Sequence, residues 1–265
     1  MITDLQPASF MKRFSAFLLD IIMIVIVSTG GALLLSTIVN FDKHVDKVTE
    51  RIHYYEETYD LKVLRTQEEV DALSEEEKAK YEEVNNIMLN DKEYINDIHM
   101  VYSLVYVIIV FGVLLGVIIP EFIIPLFFKN GQTLGKKAFG LVVIKNNGVK
   151  ASQIQLLIRS LLGKYTIEIM IPVLSLVTLF LMGRFVILWL LLAVLLIITN
   201  ICLVIFTKNH TMIHDIFSFT VVCNKETQMI FNSESELLQY KKDKHLDEVA
   251  HDYEYKVSDD KKSEV

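Results

Sequence analysis

The chain has 265 residues, 52% of them hydrophobic, with only 4 prolines and a mean hydropathy of +0.39. That balance excludes an ordinary soluble domain and points to a polytopic membrane protein. The formal net charge of −7 is concentrated in residues 40–100, whose acidic excess rules out nucleic acid as a partner of that segment, because phosphate is bound by Lys and Arg.

Four apolar stretches have the length to cross a ~30 Å hydrocarbon core. They run from about Phe14 to Val39, Val101 to Phe128, Tyr165 to Met182 and Phe185 to Phe206. Lys12 and Arg13 precede the first. Its apolar run exceeds the roughly 7–15 residues of a secretory signal and no small-residue cleavage pattern follows, so it reads as an uncleaved anchor. Arg13 and Asp20 lie seven residues apart, on one helical face and about 10 Å apart along the axis. Arg13 can snorkel to the headgroups. Asp20, two turns deep, requires a partner from another helix.

Residues 40–100 predict a helical hairpin outside the membrane. Val48, Ile52, Tyr55 and Tyr59 recur at helical spacing. Ser74 and Glu77 have the form of a capping box that starts a second helix, and Tyr81, Val84, Met88, Ile95 and Ile98 carry it without Pro or Gly into the second span. A short acidic linker is expected near residues 64–73. Such a hairpin suits a sensor or docking element, or a rigid charged spacer.

Pro120 and Pro125 break the second span around Glu121, and Pro172 follows Glu168 in the third. Broken helices expose carbonyls that coordinate cations, so both carboxylates are candidates for a proton or Na⁺. Their place near the membrane edge also predicts ordinary solvated side chains.

Between the second and third spans lie Lys129, Lys136, Lys137, Lys145, Lys150, Arg159 and Lys164, and no acidic residue. This is the positive-inside pattern. It places the connector and both termini in the cytoplasm, in a cell membrane, with the basic loop facing anionic lipid headgroups. Phe139 and Leu141–Ile144 predict a strand, and Asn147-Gly148 a tight hairpin turn. Ser152 then caps an amphipathic helix, with Ile154, Leu157, Ile158, Leu161 and Leu162 on its apolar face, suited to the membrane interface. After the fourth span, Met212–Val222 is too short to cross and is expected to fold back, with His214 and Asp215 at the cytoplasmic mouth of the bundle. Residues 224–265 read as a charged tail without a core. Cys202 and Cys223, the 2 cysteines, read as packing residues rather than a disulfide.

Several separated motifs together resemble the RDD family of bacterial membrane proteins. They are Arg13 and Asp20, the segment Gly131-Gln-Thr133-Leu-Gly135-Lys136-Lys137, the Gly140-Leu-Val-Val run ending in Asn147-Gly148, Arg159, and His214-Asp215 ahead of Thr220-Val221-Val222. The resemblance identifies Arg13, Asp20 and Asp215 as the Arg and two Asp of the family name, and implies a transport role without a defined ligand. An extended acidic outer segment and a long tail are departures from the simplest members.

The sequence therefore predicts an all-α bundle of four spans with an outer helical hairpin and a cytoplasmic interfacial helix. Its divisions are 1–39, 40–100, 101–223 and 224–265. Gly131 to Lys136 lacks the spacing of a phosphate loop, and no zinc or nucleophile motif occurs, so neither catalysis nor a cofactor or metal is expected. Arg13, Asp20, Asp215, His214, Arg159, Glu121 and Glu168 are the candidates for ion passage or ion pairing. An Arg between two Asp allows one base to be exchanged between two acids; a fixed pair that sets helix register is the other reading. The function expected is passage of a small ion or solute. The alternative is a scaffold or sensor that binds a protein partner or a second copy.

Overall fold

The computed structural model describes residues 5–128, 131–182 and 187–244. Helix α1 (Phe10–Ile38) is followed by α2 (Phe41–Tyr59), α3 (Gln67–Asp71), α4 (Glu75–Asn90) and α5 (Lys92–Ile118). The helix then widens into a π turn, π1 (Ile119–Ile123), before α6 (Ile124–Phe127), α7 (Leu134–Ala138) and strand β1 (Leu141–Lys145). From α8 (Gln153–Leu157) a π-helix, π2 (Ile158–Met170), leads into α9 (Ile171–Met182). Helices α10 (Ile187–Phe206) and α11 (Ile213–Ser218), strand β2 (Thr220–Asn224) and α12 (Glu234–Asp243) follow. Four helical runs are long and apolar enough to cross a membrane: 10–38, 92–127, 153–179 and 189–206. Their outer surfaces expose Ile22, Val25, Leu33 and Leu34 on α1 and Leu191, Leu195 and Ile198 on α10, apolar faces that belong against lipid rather than water. Lys129, Phe185 and residues 245–265 of the tail lie outside the described residues.

The chain divides into residues 27–114 and residues 1–26 with 115–265. The first unit has its own core of Tyr55, Val63, Val84, Met88 and Tyr94, flanked by Val48, Ile52, Tyr59, Ile95 and Ile98. Ser74 and Glu77 cap α4 reciprocally. Two helix breaks interrupt the runs from α1 to α2 and from α4 to α5, the second where the sequence predicts a continuous helix into the second span. Asn40, in the left-handed region at φ 51°, separates α1 from α2, a conformation Asn tolerates better than most residues. Asp91 separates α4 from α5; its carboxylate accepts the Glu93 N–H at 2.9 Å and the Tyr55 hydroxyl at 2.7 Å. The linker also holds a helix, α3, opened by a second capping box, Thr66 with Glu69.

The other unit is organised around a two-stranded sheet. β1 pairs antiparallel with β2, Leu141 opposite Asn224 and Lys145 opposite Thr220. One face, Leu141, Val143 and Val222, packs on Ala8, Ala16, Ala151 and Leu156; the other, Val142, Ile144, Val221 and Cys223, packs near Leu5 and Ile230. The segment Met212–Val222 does fold back, but from Thr220 it enters a strand, Thr220–Asn224, that the sequence reading missed. With both faces covered, its side chains show no polar alternation. The Asn147-Gly148 turn is present with only Gly148 at positive φ, 86°. The Gly148 N–H donates to the Lys145 carbonyl at 3.0 Å, and β1 finds its main partner in β2 rather than in the returning chain.

Residues 224–244 are also not a coreless tail. Phe231 and Leu237 are buried with Val149, and Tyr240 packs against them. The amphipathic helix opens at Ser152 with a capping box to Gln155, and no turn separates it from the third span. Its apolar residues Ile154, Leu157, Leu161 and Leu162 are exposed, whereas Arg159 and Ser160 are buried.

Cys223 has no exposed surface, and burial pushes its thiol up to about 12, so its nucleophilic thiolate is absent near neutral pH. In a Cys202→Ser variant, maleimide labelling followed by mass spectrometry is expected to leave Cys223 unmodified in detergent and to modify it fully once the chain is unfolded.

Candidate functional site

The first helix buries only Arg13, Ala16 and Asp20, residues three and four apart that form one face. Each charge on that face meets a different partner. The Arg13 Nη2 donates to Asp215 at 3.1 Å, and its Nη1 to the Asn209 carbonyl at 3.1 Å. Arg13 therefore does not snorkel; it is turned inward. Asp20 accepts from the Thr133 hydroxyl at 2.5 Å, the Gly135 N–H at 2.8 Å and the Lys136 ammonium at 3.2 Å. The segment Gly131 to Lys136 thus cradles an anion, and that anion is an aspartate of the same chain. Thr133 caps α7 by accepting the Lys136 N–H, while Gly135 allows close approach: a Cβ there would lie 2.8 Å from the Asp20 Oδ1 and closer still to the Ala16 carbonyl.

Asp215 is fully buried between two guanidiniums, Arg13 and Arg159. It also accepts the Met212 N–H at 3.0 Å. Arg159 continues to the Thr220 hydroxyl at 2.9 Å and the His214 Nε2 at 3.0 Å. His214 Nδ1 meets both Glu168 oxygens at 2.9 Å. Because a guanidinium only donates, Nε2 is the accepting nitrogen, and His214 is the neutral tautomer with its proton on Nδ1 toward Glu168.

The solvated reading of the two span carboxylates is corrected here. Glu121 is 4% exposed and is paired with Lys164, with Lys136 3.7 Å from its other oxygen. Glu168 is largely covered and engages His214. Four buried cations, Arg13, Lys136, Arg159 and Lys164, therefore face four carboxylates, Asp20, Glu121, Glu168 and Asp215, among the described residues. Three bases of the positive connector, Lys136, Arg159 and Lys164, belong to this cluster instead of the membrane surface. Lys137 remains exposed, its ammonium 3.8 Å from the centre of the Phe128 ring.

The helix register that assembles this cluster is the π geometry. π2 spans 13 residues, far beyond the single turn in which i→i+5 bonding ordinarily occurs. Each residue then advances roughly 82° rather than the α-helical 100°. Arg159, Gly163, Lys164 and Glu168 consequently fall on one side, whereas α geometry would put Glu168 opposite Arg159. The Thr166 hydroxyl reports the same register by donating to the Leu161 carbonyl, five residues back, at 2.9 Å. Gly163 permits the packing of π2 on α11, since a Cβ there would lie 2.5 Å from the His214 Cβ. At π1 the Ile124 N–H likewise reaches the Ile119 carbonyl, a widened turn that accommodates Pro120 and Pro125 and aims Glu121 inward. Sequence reasoning assigned Lys164 to the loop bases and gave Thr220 no role; the five-residue interval from Arg159 was the available signal.

A cavity of about 40 Å³ lies within the cluster, lined by Arg13, Asp20, Lys136, Arg159, Lys164 and His214 together with apolar side chains.

Burial opposes ionisation of Asp215, but Arg159, His214 and Arg13 hold its carboxyl below the usual carboxylate range. Burial, with Arg159 adding to it, pushes His214 below its ordinary 6.5 against the opposing pull of Glu168. As pH falls below 6.5 the unfolded chain therefore takes up this proton first. The expected outcome is a stability that is undiminished above that pH and lost progressively on acidification toward the folded-state value. His214→Gln flattens the loss, as followed by thermal unfolding in detergent at low salt.

Removing one member of a buried pair leaves an uncompensated charge, at a cost of about 3–5 kcal/mol. Glu121→Gln is expected to lose about that much stability, and Glu121→Met combined with Lys164→Met to lose clearly less, measured by denaturant unfolding in micelles.

The family model of the RDD family matches residues 7–218, a stretch that contains Arg13, Asp20, Asp215 and the rest of the charge cluster. Neither the curated proteins nor the solved structures contain a match. The matched region covers well over half of the sequence, and with its four apolar helices the chain is an integral membrane protein belonging to the RDD family.

Proposed function

We propose that this protein passes a small ion or solute across a cell membrane, along the polar interior formed by Arg13, Asp20, Lys136, Arg159, Lys164 and His214. One observation carries the reading: the cluster lines a half-open pocket of about 40 Å³ among helices whose outer faces are apolar. Ionisable groups within spans serve pairing or passage, and pairing alone needs no internal space. Asp20 and Arg13 line the path on α1. Asp215, between Arg13 and Arg159, is the acid to which Arg13 returns when it is not facing the solute. No step of covalent chemistry is involved. In the cell membrane both termini and the connector face the cytoplasm, with Lys137 and Lys150 toward anionic headgroups, and residues 40–100 lie outside.

The sealed contact of Arg13 with Asp215 favours a second reading, a scaffold or sensor whose ion pairs fix helix register and whose outer helices engage a protein partner or a second copy. The separate core of Tyr55, Val84, Met88 and Tyr94 suits an element that acts by itself.

Purified protein in proteoliposomes distinguishes the two. Passage predicts that wild type conducts at least one small ion and that Asp20→Asn abolishes this while detergent-solubilised protein still unfolds cooperatively. Absence of wild-type flux across a broad panel of cations and anions, with function lost on deletion of residues 45–95, establishes the scaffold instead.

A further inference from the structure

The cluster as a whole balances, but its cavity does not. Of the four carboxylates only Asp20 lines it, against Arg13, Lys136, Arg159 and Lys164. Asp215 and Glu121 lie behind the cations they pair with, and Glu168 behind neutral His214. Asp20 itself offers little to a metal: Oδ1 accepts the Gly135 N–H, and Oδ2 accepts from Thr133 and Lys136. Among the described residues no group of three or more His, Cys, Asp or Glu is arranged to hold a metal ion. Donors are in better supply. A guanidinium carries five N–H groups, and the contacts of Arg13 engage its Nη1 and Nη2 once each.

Size narrows the choice further. A water needs roughly 10–15 Å³ by this measure, so a pocket of about 40 Å³ accommodates a halide or a small planar oxyanion.

We propose that this cavity binds a small monovalent anion, held by Arg13, Arg159 and Lys164 and taken up together with a proton on His214. It names the solute class for the path proposed above and rests on that reading only for passage, not for binding. The coupling follows from the tautomer. Nε2 of His214 is occupied by the Nη2 of Arg159 at 3.0 Å, so a proton can enter there only when Arg159 turns its N–H away, and the cavity is where that donor finds an acceptor. The added charge is surrounded by Arg159, Lys164 and Glu168 of π2, Asp215 of α11, Arg13 and Asp20 of α1 and Lys136 of α7. Four cations already balance four carboxylates there, and the anion neutralises the fifth positive charge. Burial, which holds His214 below its ordinary range, acts in the same direction by making the proton unwelcome without its counter-ion.

The full chain in detergent provides the test. With sodium held constant, chloride and nitrate are expected to raise the unfolding temperature relative to gluconate, and the ³⁵Cl NMR line of chloride to broaden and to sharpen again on adding nitrate. Chloride affinity is expected to be at least roughly fivefold tighter at about pH 5 than at about pH 8. His214→Gln keeps the chloride response and removes its pH dependence. A response that follows sodium against choline rather than the anion, or no displaceable chloride signal in the wild type at either pH, overturns the proposal. Displaceable chloride binding without flux of any ion supports the site and removes the transport reading; cation flux without chloride binding does the reverse.

Discussion

Asp215 cannot be a charge in this protein without Arg13 and Arg159, and the arrangement of the helices around it follows from that need. A carboxylate with no exposed surface is tolerable only when its charge is matched and its oxygens are bonded. Here the match comes from α1 on one side and π2 on the other, with the Met212 N–H closing the ring. The same requirement recurs along the cluster, where Asp20 depends on α7 and Glu121 on Lys164 and Lys136. Apolar side chains fill the bilayer-facing surface and give little discrimination between one helix register and the next. The ion pairs supply that discrimination, because a slip by one residue would strand a charge.

The π geometry is a product of this demand. An α-helix through 158–170 would satisfy its own backbone equally well, yet would turn Lys164 and Glu168 away from Glu121 and His214. The widened register trades ordinary helical packing for three inward charged side chains, Arg159, Lys164 and Glu168, and Gly163 lets α11 approach closely enough to use them. Longer than a bulge, π2 is held from outside, by tertiary contacts rather than local preference.

That distinction separates what the sequence discloses from what it conceals. Hydropathy reveals the four apolar helices, and the Ser74 and Ser152 caps reveal two helix starts, because each of those signals is local. Gly131 to Lys136 is visible as a motif but not as the seat of Asp20, since the partner lies more than a hundred residues away. Lys164 looks like one more base at a membrane edge until the π register turns it to Glu121. β2 is hidden by burial on both faces, and the breaks at Asn40 and Asp91 by single residues whose conformations depend on their neighbours. The interfacial helix is legible as amphipathic, but periodicity alone does not say that its polar side is the buried one.

The sheet joins the two ends of the cluster in a way that bears on biosynthesis. Ala8 donates its N–H to the Val222 carbonyl and Pro7 bridges Cys223, so the segment that launches the first helix is anchored by an element translated roughly two hundred residues later. Until Thr133, Lys136 and Asp215 have been translated, Arg13 and Asp20 sit in a nascent helix with no counter-charge, at a cost of about 2.5–3.5 kcal/mol for each group exposed to hydrocarbon. The newborn helix α1 must therefore wait near the lipid surface or in the shelter of the insertion machinery, and its final depth is set only when Asp215 and β2 arrive.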